Sequence, residues 1–251
     1  LFSNYIRYEI IHEKMEKELR QSEEMKLLGQ LTSGVAHEVR NPLNAIMALT
    51  QALIRELGEA EGYRDYISHI RTQIDHLSTL MKDLLELGRP VEKKNFTRIP
   101  PKALCEEAIK MAAEGADGAV ESRIRFSADT ADTRGMIFGN RTRLTQVFIN
   151  LLSNAIAHSP PDREIEVTIQ QASKNFFLIR VIDRGEGVPE QNLKRIFDPF
   201  FTTRKNGTGL GLSIIRHTVE SHGGRISIRN NPDAPGCTAE VRLPLSEDEI
   251  Q

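Results

Sequence analysis

Two consecutive stretches of helical periodicity limit what this chain can fold into more than any other feature. Leu28, Leu31, Val35, Val39, Leu43, Ile46, Leu49 and Leu53 recur every three or four residues, which puts them on one stripe of a single helix. After a break at Gly58 to Gly62, Ile67, Ile70, Ile74, Leu77, Leu80, Met81, Leu84 and Leu85 repeat the pattern. That run ends near Gly88-Arg89-Pro90, where glycine and proline stop a helix. The expected result is an antiparallel hairpin over residues 23–89. One hairpin buries too little apolar surface to be stable, and both stripes are wide, so two hairpins pairing into a dimeric four-helix bundle is the expected completion. Residues 1–22 are rich in Glu, Lys and Arg, with Ile10, Ile11, Met15 and Leu19 at helical spacing, and read as an amphipathic, coiled-coil-like stem.

Beyond Pro90 the rhythm changes. Residues 90–100 are polar and proline-marked, as in a linker, and residues 101–247 alternate helix and strand signals. Helices are expected at 102–114, 141–158 and 210–221. Strands are expected at 123–128, 135–138, 164–170, 175–183, 225–230 and 238–243. The fold class is therefore multidomain: an all-α hairpin followed by an α+β sandwich, with helices stacked on one face of a mixed sheet and the other face open.

Composition excludes several functions. The 251 residues carry a net charge of −2 with the basic residues spread out, so nothing favours nucleic acid or an anionic membrane. Cys105 and Cys237 are too few for a disulfide framework and suit no metal site, which fits a reducing cytoplasm; neither stands in a catalytic pattern. No run of about 18 apolar residues spans a membrane, and no secretory signal opens the chain. Because the sequence starts at Leu1 in helix-like residues, an upstream part is expected.

Five short patterns carry chemistry. His37 stands beside Glu38 on the first helix: a neutral imidazole can attack an electrophile, and a neighbouring carboxylate can orient it and take its proton. Asn41 lies one turn on, and Pro42 should bend the helix there. Asn150 and Asn154, at i and i+4, offer neutral oxygens that suit a magnesium ion already balanced by a triphosphate. Asp183-Arg184-Gly185-Glu186-Gly187 follows an apolar strand, so an acceptor able to read an adenine amino group sits where glycines admit a ligand. Ile196 to Phe201 holds three phenylalanines before Thr202, Thr203, Arg204 and Lys205, like a flap with an apolar anchor. Gly207-Thr208-Gly209-Leu210-Gly211 leads into a helix whose bare N–H groups suit phosphate, although it is neither a P-loop nor a dinucleotide fingerprint. Alone, the His-Glu pair, the Asn pair and the Asp183 turn are more often a hydrated surface or a turn, the phenylalanine segment is as often a piece of core, and a lone glycine-rich turn says little.

Taken in order, these patterns resemble the phosphoacceptor, N, G1, F and G2 boxes of bacterial two-component sensor histidine kinases, over roughly residues 23–245. The resemblance implies a dimerisation and phosphotransfer hairpin, then a catalytic domain of the Bergerat (GHKL) type shared with chaperone, mismatch-repair and topoisomerase ATPases. It implies ATP and Mg2+ as cofactors, His37 as the phosphorylated residue, Glu38 as its base, and Asn41 as a residue orienting water when the partner is dephosphorylated. Asn150 and Asn154 would serve the metal, and Asp183 the adenine. His158, Gly185, Gly187, Thr203, Arg204, Lys205, Gly207, Thr208, Gly209, Leu210 and Gly211 would line the lid and phosphate cradle. The implied partners are a response-regulator receiver domain, a second copy of the chain, and an upstream sensor domain. The fragment would be cytoplasmic, the full protein membrane-anchored or not.

Two residues depart from the family pattern. Ala157 stands where a basic residue is frequent, leaving His158, Arg204 or Lys205 to compensate. Arg184 replaces a frequent Asn, and its side chain can point to solvent. Two other readings stay open: a nucleotide-binding dimeric scaffold, and a GHKL-type ATPase without histidine phosphorylation.

Overall fold

The computed structural model describes residues 43–53, 61–88, 91–114, 120–128, 135–173, 175–204 and 207–246. It divides into two compact units, residues 1–90 with 202–210, and residues 91–201 with 211–251. The stem, His37, Glu38, Asn41, the bend at Pro42 and Lys205 lie outside the described residues, as does most of the turn expected at 58–62.

In the first unit, residues 43–53 (α1) and Glu61–Leu87 (α2) are helical, as their periodicity requires. Leu43, Ile74, Met81 and Leu87 are buried. Ile46, Leu49 and Leu53 on α1, with Tyr66, Ile70 and Leu77 on α2, are between 43% and 70% exposed, so two apolar stripes face outward in a single copy. Among the described residues, no helix is long and apolar enough to cross a membrane.

The second unit is a two-layer α+β domain. Its five-stranded sheet runs β2(Ile124–Ala128)-β4(Ile165–Ser173)-β5(Phe176–Ile182)-β7(Cys237–Pro244)-β6(Arg225–Asn230). β2 pairs parallel with β4 and every other pair is antiparallel. Alternation assigns the faces. Val167, Ile169, Phe177, Ile179, Val181, Val241 and Leu243 point into one core with α3 (Pro101–Glu114), α4 (Arg141–His158) and α6 (Gly211–Ser221), while the short α5 (Glu190–Leu193) buries no residue. On the opposite face Arg180 bonds Glu240 at 2.8 Å and Gln170 at 2.7 Å, so that side stays polar.

Local chemistry sets the helix ends. Asn140 caps α4 by accepting from the Arg143 N–H, and Leu144, Val147, Phe148, Leu151, Leu152 and Ala155 form its buried stripe. Ser159-Pro160-Pro161 then stops it, because proline cannot continue the ladder. α6 ends at Ser221 and is closed two residues on by Gly223, whose φ of +71° is the left-handed conformation glycine tolerates best.

The structure differs from the sequence reading at two places. The stretch read as linker ends in a strand, β1 (Thr97–Ile99), paired antiparallel with β3 (Ile137–Gly139), and Ile99 is fully buried. The strand expected at 135–138 is shifted to that pairing, with Gly135 in a bend against Leu245 and Phe177.

Candidate functional site

The second unit places the Asp183 turn against the C-terminal end of α4. Central strand β5 delivers Asp183 just past its C-terminal end, where it is 7% exposed. Its Oδ1 accepts from the Gly185 N–H at 2.9 Å and the Cys237 N–H at 3.2 Å, and its Oδ2 accepts from the Cys237 thiol at 2.8 Å. A carboxylate held by donors this way stays an acceptor, which is what an amino group on a ligand requires. The following turn has no room for side chains at its glycines. A Cβ on Gly185 would press on the His158 carbonyl, and the Arg184 N–H donates to Ser159 Oγ, so turn and helix end are in direct contact. Gly187 has φ +78°, and Asn230 grips the next residue, accepting from the Val188 N–H and donating to its carbonyl, both at 2.8 Å.

Asn150 and Asn154 lie half-buried one turn apart on α4. Asn150 Oδ1 accepts from Gln146 at 2.8 Å, which orients that carboxamide oxygen and leaves it a second lone pair. Among the described residues no three His, Cys, Asp or Glu side chains cluster to hold a metal. The donor set is thus neutral, and it suits a hard cation that arrives with anionic oxygens of its own. Beyond Asn154, exposed His158 lines an open cleft of about 850 Å³ together with Arg163, Arg184, Gly185 and Pro235. Ala157 lines it too, so two arginines and a histidine surround the position whose side chain is only a methyl.

The phenylalanine segment also belongs to this unit. Phe197 packs on the core with Arg216 over its ring at 5.8 Å, and Arg195 lies 4.9 Å over Phe201. Phe200 is 55% exposed with φ +65°, a conformation uncommon for any residue but glycine. Gly211 begins α6 with nothing within 4 Å of a would-be Cβ, so its backbone is open to approach.

The remaining predicted lid residues fall in the first unit. Thr203 and Arg204 are exposed in a turn braced by Thr202 Oγ1, which accepts from the Arg204 N–H at 3.1 Å. Thr208 Oγ1 donates to Asp83 Oδ2 on α2 at 2.7 Å and accepts from the Leu210 N–H; Gly209 has φ +68°. Burial raises the Asp83 pKa, with the Thr208 bond opposing it.

Sequence reasoning overlooked Cys237, Asn230 and Asn231. Asn231 Nδ2 donates to the carbonyls of Asp183 (2.9 Å) and Pro235 (3.0 Å), and Thr238 Oγ1 donates to Asn231 Oδ1 at 2.7 Å. The available signal was Gly236, a glycine directly before an alternating strand, which marks a close backbone approach.

Comparison with known proteins gives the following. A family model described as histidine kinase-, DNA gyrase B- and HSP90-like ATPase matches residues 139–247, and one described as the His Kinase A (phospho-acceptor) domain matches residues 27–92. Sporulation kinase E of Bacillus subtilis (strain 168) is 32% identical over 94% of this chain, and the chain spans 31% of that protein's length. The catalytic domain of histidine kinase ThkA is 32% identical, with a TM-score of 0.51 over 59% of this chain and 95% of that one. Histidine kinase ThkA in complex with response regulator protein TrrA is 30% identical, with a TM-score of 0.63 over 93% of this chain and 66% of that one.

Proposed function

We propose that this chain, which belongs to the sensor histidine kinase family, moves the γ-phosphoryl group of ATP to His37 and then to an aspartate of a response-regulator receiver domain. One observation carries the reading: a buried carboxylate held as an acceptor, Asp183, abuts the helix that bears the neutral Asn150 and Asn154 pair, ahead of a glycine-started helix. Asp183 reads the adenine amino group. The first-turn N–H groups of α6 offer donors to phosphate oxygens, and Gly211 leaves that backbone open to approach. Asn150 and Asn154 would hold Mg2+, which when bound neutralises charge on the phosphates. Where Ala157 brings no charge, His158, with Arg163 and Arg184 around the same cleft, offers a basic group in its place.

His37 is the proposed acceptor because it stands beside Glu38 in the pattern that resembles the phosphoacceptor box, and the match of residues 27–92 to the phospho-acceptor family supports this. One imidazole nitrogen forms the N–P bond as the P–O bond to ADP breaks, and Glu38 takes the proton from the ring. Positioning and charge neutralisation lower the barrier, as in other phosphoryl transfers. Asn41, four residues past His37, orients water for dephosphorylation of the receiver. The outward apolar stripes of α1 and α2 meet in a dimer of two chains.

Incubation with γ-labelled ATP tests this directly. Acid-labile, alkali-stable label on wild type that is absent from His37→Gln supports the kinase. Free phosphate with unlabelled protein would instead identify an ATPase, and bound nucleotide with neither product a scaffold.

A further inference from the structure

The adenine-reading carboxylate is held mainly from one place, the residue pair Gly236-Cys237 at the start of β7. Gly236 has φ +98°, and a Cβ there would run into the Asp183 carbonyl, so only glycine lets this strand come so near. The approach is braced by Asn231, which ties the Asp183 carbonyl to the 231–236 turn and is itself held by the buried Thr238 hydroxyl. Cys237 then meets Asp183 three ways. Its carbonyl accepts from the Asp183 N–H at 2.9 Å, its own N–H donates to Oδ1, and its thiol donates to Oδ2.

The acceptor count on the carboxylate is informative. Oδ1 already takes two backbone N–H groups, which fills its in-plane lone pairs. Among the described residues Oδ2 takes the thiol alone, so the capacity left for an incoming donor is on Oδ2, beside the sulfur. The thiol therefore fixes which oxygen, and which of its lone pairs, a ligand meets. Burial, then the hydrogen bond and charge of Asp183, push the Cys237 pKa above the usual thiol range, so the group remains an S–H donor at neutral pH.

We infer that Cys237 is a specificity-determining positioning residue: its thiol holds Asp183 Oδ2 as a pure acceptor aimed at the six-amino group of adenine, and so selects ATP over GTP. The inference rests on the reading of Asp183 as the adenine contact. A carboxylate kept as acceptor accepts from the adenine amino group and repels the guanine carbonyl in the same position. With the S–H removed, the carboxylate is held through Oδ1 alone among the described residues, Oδ2 is less tightly placed, and discrimination weakens.

The test uses the whole chain, with ATP and GTP as probes. Dissociation constants and the KM and kcat of histidine labelling are measured for wild type, Cys237→Ala, Cys237→Val, Cys237→Ser and Asp183→Asn. Losing one hydrogen bond to a charged group corresponds to about tenfold. Cys237→Ala and Cys237→Val should thus raise Kd and KM for ATP about tenfold, leave kcat within about twofold, and lower the ATP-to-GTP preference by a similar factor. Cys237→Ser, which restores a donor, should return most of the loss. Cys237→Val keeps the side-chain bulk, so if Cys237→Ala melts early the pair Val and Ser still decides. Equal ATP affinity and preference in the Val and Ser variants would overturn the role of the thiol while Asp183→Asn still loses ATP. If Asp183→Asn binds ATP like wild type, the adenine reading itself falls, and this inference with it.

Discussion

His222 shows how a buried histidine can serve the fold without serving chemistry. Its Nε2 accepts the Asn140 N–H at 3.0 Å, its Nδ1 meets the Thr218 carbonyl at 2.7 Å, and Phe96 stacks on the ring at 4.6 Å. An imidazole that must accept at one nitrogen is neutral, and Gly139 is what admits it, since a Cβ there would lie 2.7 Å from the ring. Burial lowers the His222 pKa, the Thr218 bond opposes this, and Arg143 adds to the lowering. In the unfolded chain the group takes a proton below about 6.5. Because the unfolded state then binds more protons, this stabilisation is complete above about pH 6.5 and is lost as pH falls toward the folded value. Urea midpoints measured between pH 7.5 and 5.5 should therefore fall, and fall less in His222→Asn; equal slopes in both proteins would refute the assignment. Little of this could be read from the sequence, where His222 is one of seven histidines and two of its partners, Asn140 and Phe96, lie on distant segments. Asp183 was legible because a carboxylate at the end of an apolar strand followed by two glycines is a local pattern. Its partner Cys237 was not, since only the pairing of β5 with β7 brings them together.

At the scale of elements, α3 and α4 cross with both an ion pair and an apolar seam between them. Arg141 and Glu107 meet at 2.7 Å, but their side chains are 50% and 39% exposed, so solvent leaves the pair worth about 0–1 kcal/mol. Leu104, Ala108, Leu144 and Phe148 are almost wholly buried and carry the packing. Helix α4 was readable to its ends, because its cap, its apolar spacing and its terminating prolines all lie within the helix or next to it. β1 was not: three residues carry no periodicity, and the strand exists through its pairing with β3. The 231–236 turn depends on one conformation in the same way. Gly236→Ala combines a left-handed φ with a backbone collision and should cost about 3 kcal/mol, read as a lower urea midpoint at unchanged slope. A change under about 0.5 kcal/mol would mean the turn relaxes freely.

For the molecule as a whole, the exposed stripes of α1 and α2 bear on the proposed pairing of two copies. A single surface substitution on a monomer is ordinarily worth within about 0.5 kcal/mol. Leu49, 66% exposed here, is expected to be covered by the second copy instead, so Leu49→Glu should move the sedimentation profile from dimer toward monomer at micromolar concentration. An unchanged profile would remove that face from the interface. The hairpin periodicity was visible in the sequence because it repeats locally over many residues, and its exposure in one copy is the counterpart of the bundle it predicts.

The Thr97–Ile99 strand has a practical corollary for anyone wishing to isolate the ATP-handling half. Ile99 is sealed off from solvent, and Phe96 is the plate on which the His222 ring rests. Trimming at the first helix, Pro101, would strip an edge from Ile137–Gly139 and open an oily gap beneath α6, so the cut belongs ahead of Phe96.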